Sequence, residues 1–109
     1  MTYSKSKNFD RELQKAALMA KALSHPARLA ILLHLAACKT CISGDISGQI
    51  PLSRTTVSQH LQELKNAGLI QGEISGVSIH YCLSPEGIQA LENWFGGFLN
   101  TLKSGIASC

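Results

Sequence analysis

Ser53 to Ile70, SRTTVSQHLQELKNAGLI, carries two different helix faces in one short segment. At 3.6 residues per turn, Val57, Leu61 and Leu64 fall on one stripe that needs a core to pack against. Thr55, Ser58, Gln59, Gln62 and Asn66 fall on the opposite side. A face that only meets water is usually Glu and Lys, which are good helix formers. Hydroxyls and amides are mediocre ones, but they both donate and accept hydrogen bonds. Such groups suit base edges and phosphates in a DNA major groove. Ser53 can cap this helix, and Ala67-Gly68-Leu69 ends it, with glycine supplying a left-handed residue.

Upstream, Pro51 stops a segment, Ile42 to Ile50, that reads as a short helix weakened by Gly44 and Gly48. The Pro51-Leu52 turn between the two gives a helix-turn-helix pattern. Further back, Leu13, Ala16, Ala17, Ala20 and Leu23 recur at helical spacing. Ser24-His25-Pro26 separates that helix from Ala27 to about Ala37, which is apolar on most sides and is therefore expected to be the buried centre of the core. Downstream the period changes to two. Leu69 to Ser75 and Val77 to Leu83 read as a hairpin around Gly76, with Val77, Ile79, Tyr81 and Leu83 on one face and Ser78, His80 and Cys82 on the other. Ser84-Pro85-Glu86 opens a last helix with Ile88, Leu91, Phe95, Phe98 and Leu102 in phase. Gly96-Gly97 inside it costs roughly 1–2 kcal/mol of propensity, and fits either a close helix crossing or a local break.

The expected fold is mainly α with a small β-hairpin: a dimeric winged helix-turn-helix in the order α-α-α-α-β-β-α. A flexible segment 1–8 precedes the domain, 9–103, and a tail 104–109 follows it. The first and last helices carry more apolar surface than a monomer of 109 residues can cover, which is the reason to expect a dimer.

With 45% apolar and 16% charged residues, the chain is globular rather than disordered. Its longest apolar run, Leu29 to Cys38, is interrupted by His34 and is too short to span a bilayer. The N-terminus has basic residues with no apolar segment behind them, so a signal peptide is not expected and a cytoplasmic protein is. There, four cysteines read as reduced thiols or metal ligands before structural disulfides. The net charge of +3 is unevenly spread. Residues 1–39 carry Lys5, Lys7, Arg11, Lys15, Lys21, Arg28 and Lys39 against Asp10 and Glu12, whereas residues 71–109 carry Lys103 against Glu73, Glu86 and Glu92. This balance permits nucleic acid without demanding it, and a dimer would double it.

LSHPARLAILLHL, then PLSRTTVSQHLQELKNAGLI, then GVSIHYCLSPEG together resemble the ArsR/SmtB family of bacterial winged-helix repressors, over roughly Leu13 to Leu102. The resemblance implies a homodimer paired through its first and last helices, with each recognition helix in a major groove at one half of a palindromic operator in double-stranded DNA. It also implies release by an inducer, often a metal or metalloid ion. Carried over by position, the DNA contacts are Arg54, Thr55, Ser58 and Gln59, with Thr56, His60 and Lys65 in secondary places. His60 sits near the apolar stripe, so a half-buried structural histidine is the competing reading. The wing tip, Ile74-Ser75-Gly76-Val77-Ser78, lacks the Arg or Lys that would grip phosphate.

The sensing chemistry is less well marked. Family metalloid sensors carry a motif like ELCVCDL before the recognition helix. The corresponding segment here, Lys39-Thr40-Cys41-Ile42-Ser43-Gly44-Asp45-Ile46, has Cys41 near the first ligand position and Ser43 or Gly44 at the second. The last helix has Glu92 but no His or Asp for the family's zinc site. What remains is Cys38-x-x-Cys41 with Cys82, as candidate ligands for a soft metal or metalloid ion. His80 and Cys82 share a strand face about 7 Å apart. Against this, Cys38 reads as a small hydrophobe ending a buried helix, His34 as a core histidine, His80 as structural and Cys109 as inert. No cofactor is required by anything in the sequence. A DNA-binding regulator of the same fold with incidental cysteines is therefore the alternative. No nucleophile, base and orienting residue are arranged for catalysis, so an enzyme is not expected.

Overall fold

The computed structural model describes residues 9–39, 41–43, 51–75 and 78–107. The elements are α1 (Arg11–Ala22), α2 (Pro26–Cys38), β1 (Ile42–Ser43), α3 (Arg54–Asn66), β2 (Ile70–Ser75), β3 (Ser78–Leu83) and α4 (Pro85–Ser104). Each helix start carries a side-chain acceptor. Asp10 takes the Glu12 N–H in α1, His25 Nδ1 takes the Ala27 N–H in α2, Ser53 takes the Thr56 N–H in α3, and Ser84 takes the Gly87 N–H in α4. Past the end of α3, the Gly68 N–H reaches Lys65 O at 2.9 Å and the Leu69 N–H reaches Leu64 O at 3.0 Å. Gly68, at φ 82°, is the left-handed residue this double closure requires.

Two sequence expectations change. The helix expected from Ile42 begins instead as a strand. Ile42 pairs with Tyr81 and Ser43 with His80, so the sheet has three strands in the order β1-β3-β2. The pairing places β-branched Ile42 against the core cluster and gives the free edge of β3 a partner. Residues 44–50 of that expected helix lie outside the described residues, as do segment 1–8, the wing-tip pair Gly76 and Val77, and Cys109. The second change concerns α2, which is not buried all round. Ala27, Ile31 and Leu35 enter the core, while Leu29 and Leu33 face outward, Leu33 at 72% exposure.

The core gathers Ala22 of α1, Ile31 and Leu35 of α2, Val57, Leu61 and Leu64 of α3, Leu69, Ile70 of β2 and Tyr81 of β3, with Ile42 of β1 and Ile88 and Leu91 of α4 partly buried against them. Tyr81 is fully buried, the central strand residue on which helices and sheet converge. The long α4 buries none of its residues completely within the protomer, and it runs unbroken through Gly96 and Gly97. No single helix among the described residues is long and apolar enough to cross a membrane.

Candidate nucleic-acid interface and cysteine cluster

Val57, Leu61 and Leu64 lock one side of α3 into the core. The opposite side is held rigidly outward: Arg54, Thr55 and Gln59 are exposed, and Ser58 is half-buried beside them. The first turn contains no acidic residue, so the positive end of the helix dipole adds to the charge of Arg54. This end is suited to a phosphate, and the following turn offers a hydroxyl and an amide. Thr56 is half-buried and takes part in the cap, its hydroxyl accepting from Ser53 Oγ at 2.9 Å. Lys65, also half-buried, lies in the last turn. Toward that end, the Gln62 amide donates to Asn66 at 3.0 Å, which occupies those two groups with each other.

His60 packs its ring on His25, with centroids 4.3 Å apart. His25 is fixed by capping α2, and the Arg28 guanidinium, 4.0 Å from Glu63, completes the group. Partial burial and the positive fields of His25 and Arg28 lower the pKa of His60 below its ordinary value, with Glu63 opposing. A histidine whose native pKa is depressed stabilises the fold when neutral, above its unfolded value near about 6.5, and that contribution is lost as pH falls toward the native value. Urea midpoints are therefore expected to drop between neutral pH and about pH 5, and His60→Gln is expected to flatten this profile. An unchanged slope in the variant would remove His60 as its source. The sequence signal for this contact is the His25-Pro26 start of α2. It becomes readable only once the fold brings His60 alongside.

The structure rearranges the cysteine set. Cys41 and Cys82 form a disulfide, where reduced thiols or metal ligands are the expectation from sequence. Extending the β1–β3 register by one residue places them directly opposite each other, with Cα atoms 4.3 Å apart. On the same face, the neighbouring pair Ser43 and His80 is hydrogen-bonded, Oγ to Nδ1, at 3.0 Å. One ligand atom each from Cys41, His80 and Cys82 lies within 4.8 Å of the others.

Cys38, grouped from sequence with Cys41 and Cys82, stands outside that cluster. Lys39 adopts a left-handed conformation at φ 57° and turns the chain off the end of α2, ahead of β1 at Ile42. Cys38 is exposed rather than buried, with its sulfur 3.8 Å from Nε2 of half-buried His34. Alternation on β3 puts His80 and Cys82 on one face from sequence alone. It does not reveal Ser43 and Cys41 as their partners, because Ser43 falls in a segment that reads as helix and Cys41 stands just before it.

A family model described as a helix-turn-helix domain matches residues 23–73. The HTH-type transcriptional regulator YgaV of Escherichia coli is 33% identical over 78 residues, covering 72% of this chain and 79% of YgaV. The HTH-type transcriptional repressor SmtB of Mycobacterium tuberculosis is 36% identical over 72 residues, which is 66% of this chain and 53% of SmtB. The crystal structure of an ArsR family transcriptional regulator, RHA00566, superposes with a TM-score of 0.70 over 88% of this chain and 98% of that one, at 18% identity. This last likeness speaks to the fold alone.

Proposed function

Because the chain belongs to the ArsR/SmtB family of winged-helix transcriptional regulators, we propose that it is a cytoplasmic homodimeric repressor whose two α3 helices read a palindromic operator, and that thiol or metal chemistry at its cysteines releases it. The outward side of α3 carries this reading: a hydroxyl-and-amide surface with Arg54 at its N-terminal end, mounted on a fully buried Val57-Leu61-Leu64 stripe. Arg54 and Thr55 meet phosphate or the first base, while Ser58 and Gln59 face the base edges. Thr56, His60 and Lys65 take flanking places. Cap bonding at Thr56 and ring packing at His60 make these two positioning groups first and DNA contacts second.

Release is the step for which the cysteine pair is suited. A disulfide in an intracellular regulator is usually a transient, sensing bond rather than a structural one. The pair ties β1 to the strand that continues into the wing, in contact with the core that carries α3.

Fluorescence anisotropy with DNA from the protein's own promoter, at fixed salt, tests the reading. Gln59→Ala is expected to weaken operator binding by about 1–3 kcal/mol, roughly five- to 150-fold, while leaving binding to unrelated DNA nearly unchanged. Equal loss on both DNAs would demote Gln59 to a backbone contact. No promoter-specific binding by the wild-type protein would defeat the proposal.

A further inference from the structure

Cys41, Cys82 and His80 present three ligand atoms of the kinds that hold thiophilic d10 cations, all within 4.8 Å of one another. Their arrangement is dictated by the sheet. The register aligns Ile42 with Tyr81 and Ser43 with His80, so alternation sends Ile42 and Tyr81 into the core and turns Cys41, Ser43, His80 and Cys82 to the opposite, accessible face. The four side chains thus form two adjacent cross-strand pairs, one of sulfurs and one of hydroxyl and imidazole. The Ser43 hydroxyl lies 3.0 Å from Nδ1; in the tautomer protonated at Nδ1 the ring donates to Ser43 and keeps the Nε2 lone pair for an ion. This is the support that metal-binding histidines usually receive from a neighbour. Leu35, Ala36, Lys39 and Leu83 complete a hollow of about 210 Å³ on one side of the two sulfurs.

We propose that the reduced form of this cluster binds one zinc- or cadmium-class ion per chain through Cys41, Cys82 and His80, so that the same two sulfurs hold either each other or a cation. A small-molecule thiol attacks the Cys41–Cys82 bond and a second displaces the mixed disulfide. Two electrons and two protons thereby pass to the protein sulfurs, and the two reductant molecules leave joined as a disulfide. A divalent ion then binds two thiolates and a neutral imidazole, displacing the two thiol protons. In a tetrahedral site with Zn–S bonds of about 2.3 Å, the sulfurs stand roughly 3.8 Å apart. Cysteines on directly opposed strand positions can reach this by side-chain rotation. Three protein ligands leave one position for water or an external thiol. The regulatory consequence rests on the repressor reading above; the binding itself does not.

Anaerobic titration of the reduced full-length protein with cadmium alone tests the site. The expected result is one ion per chain, with thiolate-to-metal absorption in the ultraviolet and no such binding by the oxidised protein. Cys41→Ser and Cys82→Ser are each expected to weaken binding roughly a hundredfold or more and His80→Gln roughly tenfold or more, whereas Cys38→Ser leaves it unchanged. His80→Gln keeps both thiols, so it tests the site even if a serine variant folds poorly. Undiminished binding in Cys82→Ser, or loss in Cys38→Ser, overturns the assignment. Operator affinity measured on the same samples separates the two ideas. An ion that binds as stated without changing DNA affinity upholds the site and sinks cysteine-controlled release. A redox-dependent DNA affinity with no ion binding does the reverse.

Discussion

Leu99→Glu is expected to yield monomers in sedimentation experiments and to lower operator affinity by about a hundredfold or more. The Leu99 side chain stands on α4 at 56% exposure, with Phe98 and Leu102 on the same helix and Leu13 on α1 also exposed. Such a run of large apolar groups is unusual on a monomer's surface and is where the proposed homodimer would pair. Gly96 and Gly97 point the same way. A Cβ at either would meet nothing within 4 Å, so the helix backbone is open there to close approach by another helix. In the proposed twofold interface the one introduced carboxylate becomes two, and each incurs a desolvation cost that no partner offsets. Linking two half-site contacts in one dimer commonly raises affinity by about 10²–10⁴, and this factor is what the monomer forfeits. Because Leu99 is exposed in the protomer, far-ultraviolet circular dichroism should change little. A dimer that survives the substitution would move the interface elsewhere, with Leu29 and Leu33 on α2 the next surface to test.

Leu64→Ala has the largest expected effect on the fold itself. Leu64 is fully buried on α3, in the cluster that also holds Ile31, Leu35 and Tyr81. Truncating a buried leucine removes about 2–5 kcal/mol, from lost transfer energy together with the cavity left behind. For a domain of this size that is roughly 10–20 °C in Tm, a large part of the total stability. Thermal unfolding at one protein concentration, with the disulfide kept in the same state in both samples, checks it. A shift below about 5 °C would mean that the surrounding core collapses into the space. The residue also supplies the carbonyl that accepts the Leu69 N–H, but that bond involves backbone and survives the change.

How far the sequence carries depends on whether the deciding signal is local. α3 is legible to the residue: Ser53 capping, the buried stripe and the Gly68 stop all act within a few positions, and all three are observed. The hairpin is legible for the same reason, since alternation on β3 sorts Tyr81 inward and His80 outward without reference to anything distant. β1 is not. Two residues carry no period, and Ile42 and Ser43 become a strand only because β3 offers an edge. The cross-strand pairing of Cys41 with Cys82 is hidden with it. C-x-x-C spacing suggests that Cys38 and Cys41 act together, yet Lys39 turns the chain between them and the partner of Cys41 lies 41 positions away. The exposed half of α2 is hidden differently: a helix apolar all round fits a buried core helix and a surface waiting for a partner equally well.

The bond between Cys41 and Cys82 has a topological side. It closes a covalent ring, and β1, α3, β2 and all of β3 up to Tyr81 lie inside it. In the chain-entropy account a ring of this size restricts the denatured chain by about 4 kcal/mol. A protease that nicks any peptide bond between Ile42 and Tyr81 therefore leaves both fragments in one molecule until a thiol is added. The helix proposed to read DNA lies within a loop that a two-electron step at Cys41 and Cys82 opens or closes.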